Sequence, residues 1–174
     1  MDLYLVALYA HIVGALFLFS LLGIETMGLL RFRSAGSVEA ARASMGLVGV
    51  MRRGGPVALL VILIPGLWMA ADRWHFPAWT GVALISMLVL AGIGMVVTGG
   101  VMRRLGPRIA QAQGGWSAEL TEAVRDATLV RSLALRLGLA LGIVALMVFK
   151  PDLVGSLIAV VAGAVIGLLV SLAV

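Results

Sequence analysis

Apolar residues run in long stretches along this chain, and the charged ones collect in blocks between them. Leu3–Leu30 is apolar except for His11, Glu25 and a few small polar residues. Pro56–Ala71 is shorter, and Gly54 and Gly55 can extend it. Ala78–Met102 and Leu153–Val174 hold no charge, and Leu133–Phe149 is interrupted only by Arg136. A helix that crosses a bilayer needs about 20 mostly apolar residues. The pattern therefore predicts an all-α membrane protein, a single bundle of five transmembrane helices at about 3–30, 54–71, 78–102, 132–149 and 152–174. Only Lys150-Pro151-Asp152 separates the last two stretches. Proline suits the first turn of a new helix, so a hairpin is expected there. The rival arrangement has four spans and a C-terminal helix lying in the interface. The first stretch opens with Asp2 rather than a basic residue and is too long for a secretory h-region, so it reads as a retained helix.

The linkers at 31–53 and 103–131 have structure of their own. Ser37-Val-Glu39 and Ser117-Ala-Glu119 each pair a hydroxyl cap with an acid in the first turn, the signature of a helix start. After Ser37, Val38, Ala41, Met45 and Val48 recur at helical spacing until Gly54-Gly55-Pro56, where a break is expected. After Ser117 no breaker intervenes before Lys150, which predicts one long helix continuing into the fourth span, with Gly114-Gly115 as the joint before it.

Composition agrees with the pattern. Of 174 residues, 62% are hydrophobic and 12% charged, whereas soluble domains have about 45–50% apolar residues. A soluble fold of this length has no interior large enough to hide that surface. The net charge of +5 would suit nucleic acid, but its position between apolar spans is that of a topological signal. Arg31, Arg33, Arg42, Arg52 and Arg53 fill one linker, and Arg103, Arg104, Arg108, Arg125 and Arg131 the other. The opposite side offers only Arg73 and Lys150. Both linkers are therefore expected in the cytoplasm as amphipathic helices, with the N-terminus outside and the C-terminus inside. There is no cysteine, which excludes disulfides and thiolate metal sites.

Spans one and three end alike, in Thr26-Met-Gly28-Leu-Leu-Arg31 and Thr98-Gly-Gly100-Val-Met-Arg103. Either the chain contains a parallel duplication, or two cytoplasmic helix ends have converged.

Ionisable groups inside a span are costly and usually face a partner or a cavity. His11 and Glu25 share one stripe of span one with Tyr4, Ala7, Gly14, Leu18 and Gly28. Small residues on that stripe allow close approach of a helix or a flat ligand. His11 is either a neutral imidazole bonded to a neighbour or a functional group, an axial haem ligand or a proton carrier. Met87, at nearly the same depth, is the candidate for a sixth haem ligand, and Arg73 and Lys150 are the only outer cations available to propionates. Glu25 and Arg136 lie at matching depths from the same side, which predicts an intramembrane ion pair. No nucleophile triad, Walker loop, dinucleotide fingerprint or metalloprotease motif is present.

Several segments together resemble a bacterial membrane superfamily that contains the HemJ-type protoporphyrinogen oxidases and the CopD-like copper-resistance domain. They are Tyr9-Ala-His11-Ile-Val-Gly14-Ala, Arg31-Phe-Arg33, Gly55-Pro56 with Pro65-Gly66-Leu67, and Arg131 with Val148-Phe149-Lys150-Pro151. The resemblance covers about residues 4–151 and is closest to small members of that superfamily without a defined role. It implies haem b on His11, a functional part for Lys150, and a bacterial inner-membrane location. The expected function is a haem-b-binding, redox-linked membrane protein. The alternatives are an assembly subunit of a larger membrane complex, or a carrier of small solutes or protons using His11 and Glu25. The expected partners are the lipid bilayer and another membrane protein or a second copy.

Overall fold

The computed structural model describes residues 2–112 and 116–173. Among these the only regular elements are helices, five of which are long and apolar enough to cross a membrane. The α-helices at their cores are α1 (Leu3–Arg33), α3 (Val50–Met69), α4 (Ala78–Ile93), α7 (Ala127–Phe149) and α8 (Leu153–Leu172). Between them lie α2 (Val38–Val48), α5 (Gly99–Gln111) and α6 (Ala118–Val124). Two π turns lengthen the spans: Ala70–Trp74 continues α3, and Gly94–Thr98 joins α4 to α5. The third long helix thus runs on to Gln111 rather than ending at Met102.

The linker helices start where a hydroxyl can accept an end N–H. Ser37 Oγ accepts from Ala40 N at 3.2 Å and Ser117 Oγ from Leu120 N at 3.2 Å. Two expected boundaries are displaced. Gly54-Gly55-Pro56 does not break a helix; α3 begins at Val50, and the interruption lies at Gly49. Gly54 serves packing instead, because a Cβ there would stand 2.8 Å from Leu21 Cδ2 on α1. The expected continuous helix from Ser117 to Lys150 is two helices. The first ends at Val124 with Arg125 as its C-cap, and Asp126 caps the second, accepting from Thr128 N at 2.8 Å. Arg33 holds this corner from α1, donating to the Arg125 and Asp126 carbonyls at 3.2 and 3.3 Å. Hydrogen bonds from the Thr128 side chain and backbone hold the Asp126 carboxyl below its usual range, helped by Arg131 and Arg33. The cap is therefore intact at neutral pH and weakens only as acid protonates it. The Gly114-Gly115 joint lies outside the described residues.

The linker arginines do more than carry charge. Arg42 on α2 donates to the carbonyls of Ile109 and Ala110, at 3.2 and 2.8 Å from Nη2, at the C-terminal end of α5. A cation there satisfies end carbonyls and meets the negative pole of the helix.

The packing is uneven. α1 lies along α3, while α7 sits between α1, α4 and α8. In the apolar window of α7, 56% of residues are buried, against 11% in α8, so α7 is the central helix and α8 a peripheral one. Lys150 adopts a left-handed conformation (φ 46°), Pro151 follows, and Asp152 caps α8 by accepting from Gly155 N at 2.8 Å. The hairpin closes by bare backbone contact. Ala134, Gly138 and Gly142 on α7 face Ala159, Gly163 and Gly167 on α8 at spacings of four. This is the small-residue seam that membrane helices use where no hydrophobic force drives them together.

The two similar span ends do not pack alike. A Cβ on Gly28 would meet Leu47 at 2.7 Å, whereas one on Gly100 would find only the Arg103 side chain at 3.9 Å.

Candidate functional site

The two ionisable groups of α1 face different neighbours. Toward the arginine-rich end, Glu25 meets Arg136 of α7 in a bidentate pair: Nη1 donates to Oε2 at 2.9 Å and Nη2 to Oε1 at 2.7 Å. Arg136 is 1% exposed and Glu25 2%, so both charges are out of contact with solvent. Nη2 also donates to Thr98 Oγ1 at 3.3 Å, and Thr98 lies 3.0 Å from Ser132 Oγ. The π turn Gly94–Thr98 shapes this pocket. It places Thr98 beside the guanidinium, and Gly94 leaves room for it, since a Cβ there would stand 3.0 Å from Nη1. Both Glu25 oxygens are occupied by one guanidinium. The group is thus an anchor between α1 and α7, and carrying a proton would first require breaking the pair.

His11 occupies the half nearer the α3–α4 turn. Pro65 has no N–H to give the Val61 carbonyl, and its ring loosens the α3 ladder at that point. The next carbonyl, Ile62, takes a hydrogen bond from His11 Nδ1 at 2.8 Å. A carbonyl can only accept, so Nδ1 carries a hydrogen, and in the neutral imidazole Nε2 is the acceptor nitrogen. Gly66 makes the approach possible, because a Cβ there would come within 2.9 Å of Nδ1 and 3.0 Å of Cε1. Among the described residues no hydrogen bond engages Nε2.

The imidazole lines a cavity of about 130 Å³ between α1, α3, α4 and α7. Phe19, Ile62, Leu84, Met87, Ile143 and Met147 supply much of its apolar wall, and Thr80 adds a hydroxyl that donates to the Pro77 carbonyl at 2.7 Å. Met87, expected at the depth of His11, lines the same space. Trp74 and Trp79 close the turn end, their rings 5.1 Å apart, with Tyr4 edge-on to Trp74 at 6.4 Å. Above them the turn is strained. His75 and Phe76 both have positive φ, 51° and 55°, which bulky residues seldom adopt.

No protein family, curated protein or solved structure matches this chain.

The remaining sequence candidates sit at the rim. Lys150 Nζ lies 5.0 Å from the centre of the Trp74 ring. Arg73 lies 5.1 Å from the Tyr4 ring and pairs with Asp72 at 3.5 Å and Asp2 at 3.8 Å. Neither side chain lines the cavity. The donor chemistry for haem b is present, an imidazole from α1 and a thioether from α4 lining one cavity. Room for it is not, because the cavity holds about 130 Å³ and even drug-sized ligands occupy pockets of about 300–1,000 Å³. A porphyrin does not fit between these helices as they stand.

Sequence reasoning reached His11, Met87, Glu25 and Arg136 and missed Gly66, Thr80, Gly94 and Thr98. A proline-glycine pair inside an apolar span was the available signal for the first. Nothing local marks Gly94 or Thr98, because their part depends on a π turn that only packing produces.

Proposed function

We propose that this chain is a multi-pass membrane protein that takes a small, apolar, ring-sized ligand from the bilayer into the His11 cavity. The observation that supports this reading is the hydrogen bond from His11 Nδ1 to the Ile62 carbonyl at 2.8 Å. It leaves Nε2 of His11 unengaged beside a mostly apolar cavity of about 130 Å³. A cavity of about 150 Å³ lined by aliphatic and aromatic side chains stays dry and takes up benzene, so occupancy by a single ring is the natural use of this space. The clustering of ten arginines in the two linkers favours placing that end in the cytoplasm and the cavity in the outer half of the membrane. The bacterial inner membrane follows from the superfamily resemblance. A redox role belongs to the same reading if the bound ring is redox-active.

Benzene is expected to stabilise the protein in lipid nanodiscs. At ten times its Kd the gain is about 1.4 kcal/mol. Ala83→Met, which fills the cavity with a flexible side chain, should remove that gain while leaving the unliganded protein folded. Equal stabilisation of both proteins would assign the effect to the lipid.

A further inference from the structure

We infer that the arginine-rich end of the bundle holds an anionic phospholipid, whose phosphate is taken by Arg103 and Arg104 beside the third span. The structure separates the linker arginines into those already engaged and those that are not. Arg33 and Arg42 donate to backbone carbonyls, and Arg108 pairs with Glu119 at 3.0 Å. Among the described residues neither Arg103 nor Arg104 has an ion-pair or hydrogen-bond partner, and both are exposed. The Arg103 guanidinium also lies low. A helical side chain leans toward the N-terminal end of its helix, which on α5 is the side of the span. A Cβ on Gly99 would stand 3.6 Å from Arg103 Nη1, and one on Gly100 3.9 Å from Nη2. These glycines directly follow Thr98, which marks the level of the buried Glu25–Arg136 pair. Beyond that level α1 stays uncharged from Thr26 to Leu30. Arg103 thus holds its charge alongside the last apolar turn, where Arg136 has a carboxylate and Arg103 has none.

A cation at that depth is costly unless an anion meets it, and the forked guanidinium matches two oxygens of a phosphate. The face beside it is open, because among the described residues only Arg103 itself lies within 4 Å of a Cβ on Gly100. Net charge selects among phospholipids. The two linkers carry ten arginines against four carboxylates, Glu39, Glu119, Glu122 and Asp126. A zwitterionic headgroup adds a cation to this excess and an anionic one does not, which is why basic residues next to a span draw anionic lipids. The bilayer is the source of the phosphate, since a soluble anion would give up its hydration to reach a guanidinium that leans toward the apolar turn.

The test uses the full chain in nanodiscs of equimolar phosphatidylcholine and phosphatidylglycerol, with native mass spectrometry counting the lipids that stay on the protein. Retained phosphatidylglycerol is expected to exceed phosphatidylcholine at least fivefold. Arg103→Gln/Arg104→Gln should bring that ratio to within twofold of one. In pure phosphatidylcholine the double variant should unfold at the same temperature as the unaltered chain, because neither side chain has a partner in the protein. Arg73→Gln, which removes a cation paired with Asp72 and Asp2 at the other end, should leave the ratio unchanged. Equal retention of the two lipids by the unaltered chain, a ratio unmoved by the double change, or an equal fall with Arg73→Gln would overturn the assignment. Lower stability of the double variant in pure phosphatidylcholine would overturn it too, by showing that the arginines serve contacts within the chain. Displacement of the lipid by glycerol 3-phosphate in the buffer would make the ligand a soluble phosphate and overturn the lipid assignment.

Discussion

Replacing Arg136 by Met is expected to destabilise the bundle by about 3–5 kcal/mol, because Glu25 would remain as an unpaired charge with no access to water. Glu25 is 2% exposed, and Arg136 supplies both of its hydrogen-bond donors, at 2.9 and 2.7 Å. Glu25→Leu should cost a similar amount, since the guanidinium would keep only the long bond to Thr98 at 3.3 Å. The double change Glu25→Leu/Arg136→Met should cost far less than the two together, because replacing a buried ion pair by apolar groups of similar volume is often close to neutral. Reversible unfolding of the four proteins in one lipid gives the coupling. Strict additivity would mean that the two charges do not depend on each other. Such coupling would mean that the pair fixes the register between α1 and α7 more than it adds net stability.

The second large effect is expected at the hairpin of α7 and α8. Gly163→Leu should cost about 3 kcal/mol, the upper end of what overpacking usually costs. At Gly163 a new Cβ would fall on the Gly138 carbonyl, which is rigid backbone and cannot swing aside. α8 is held by this seam, having only 11% of its apolar window buried, so it should separate from α7 before the rest of the bundle responds. Gly92→Ala on α4 is the control. Nothing lies within 4 Å of a Cβ there, so the change should be neutral or stabilising by up to about 1 kcal/mol from helix propensity alone. Thermal unfolding of the two variants checks both values. A neutral Gly163→Leu would show that the helices are not in backbone contact.

The five spans were legible because apolar run length is a property of the sequence itself, and the break at Lys150-Pro151 was legible because proline acts locally. The meeting of Glu25 and Arg136 could be anticipated from depth, since few positions at that level can neutralise a carboxylate. Other features depend on what a residue touches. Gly54-Gly55-Pro56 resembles a helix stop, yet Gly54 makes room for Leu21 and the helix passes through. Asp126 acts as a cap only because the chain turns at Arg125, a turn that no local residue signals. For His11 the sequence left open a bonded core imidazole and a functional group, an axial haem ligand or a proton carrier. The bond from Nδ1 to the Ile62 carbonyl supplies the first, and the ring also lines a cavity, which no property of the sequence could locate.

The protonation of that ring is the point on which the ligand reading depends. Nitrogen-15 spectroscopy of histidine-labelled protein in bilayers reads it directly, with His75→Asn used to assign the signal to His11. The expected spectrum shows a hydrogen bonded to Nδ1 and a bare, acceptor-type Nε2, with the Nε2 signal shifting when benzene enters the cavity. A proton found on Nε2 with Nδ1 bare would contradict the hydrogen bond to the Ile62 carbonyl and, with it, the unengaged Nε2 on which the cavity reading rests.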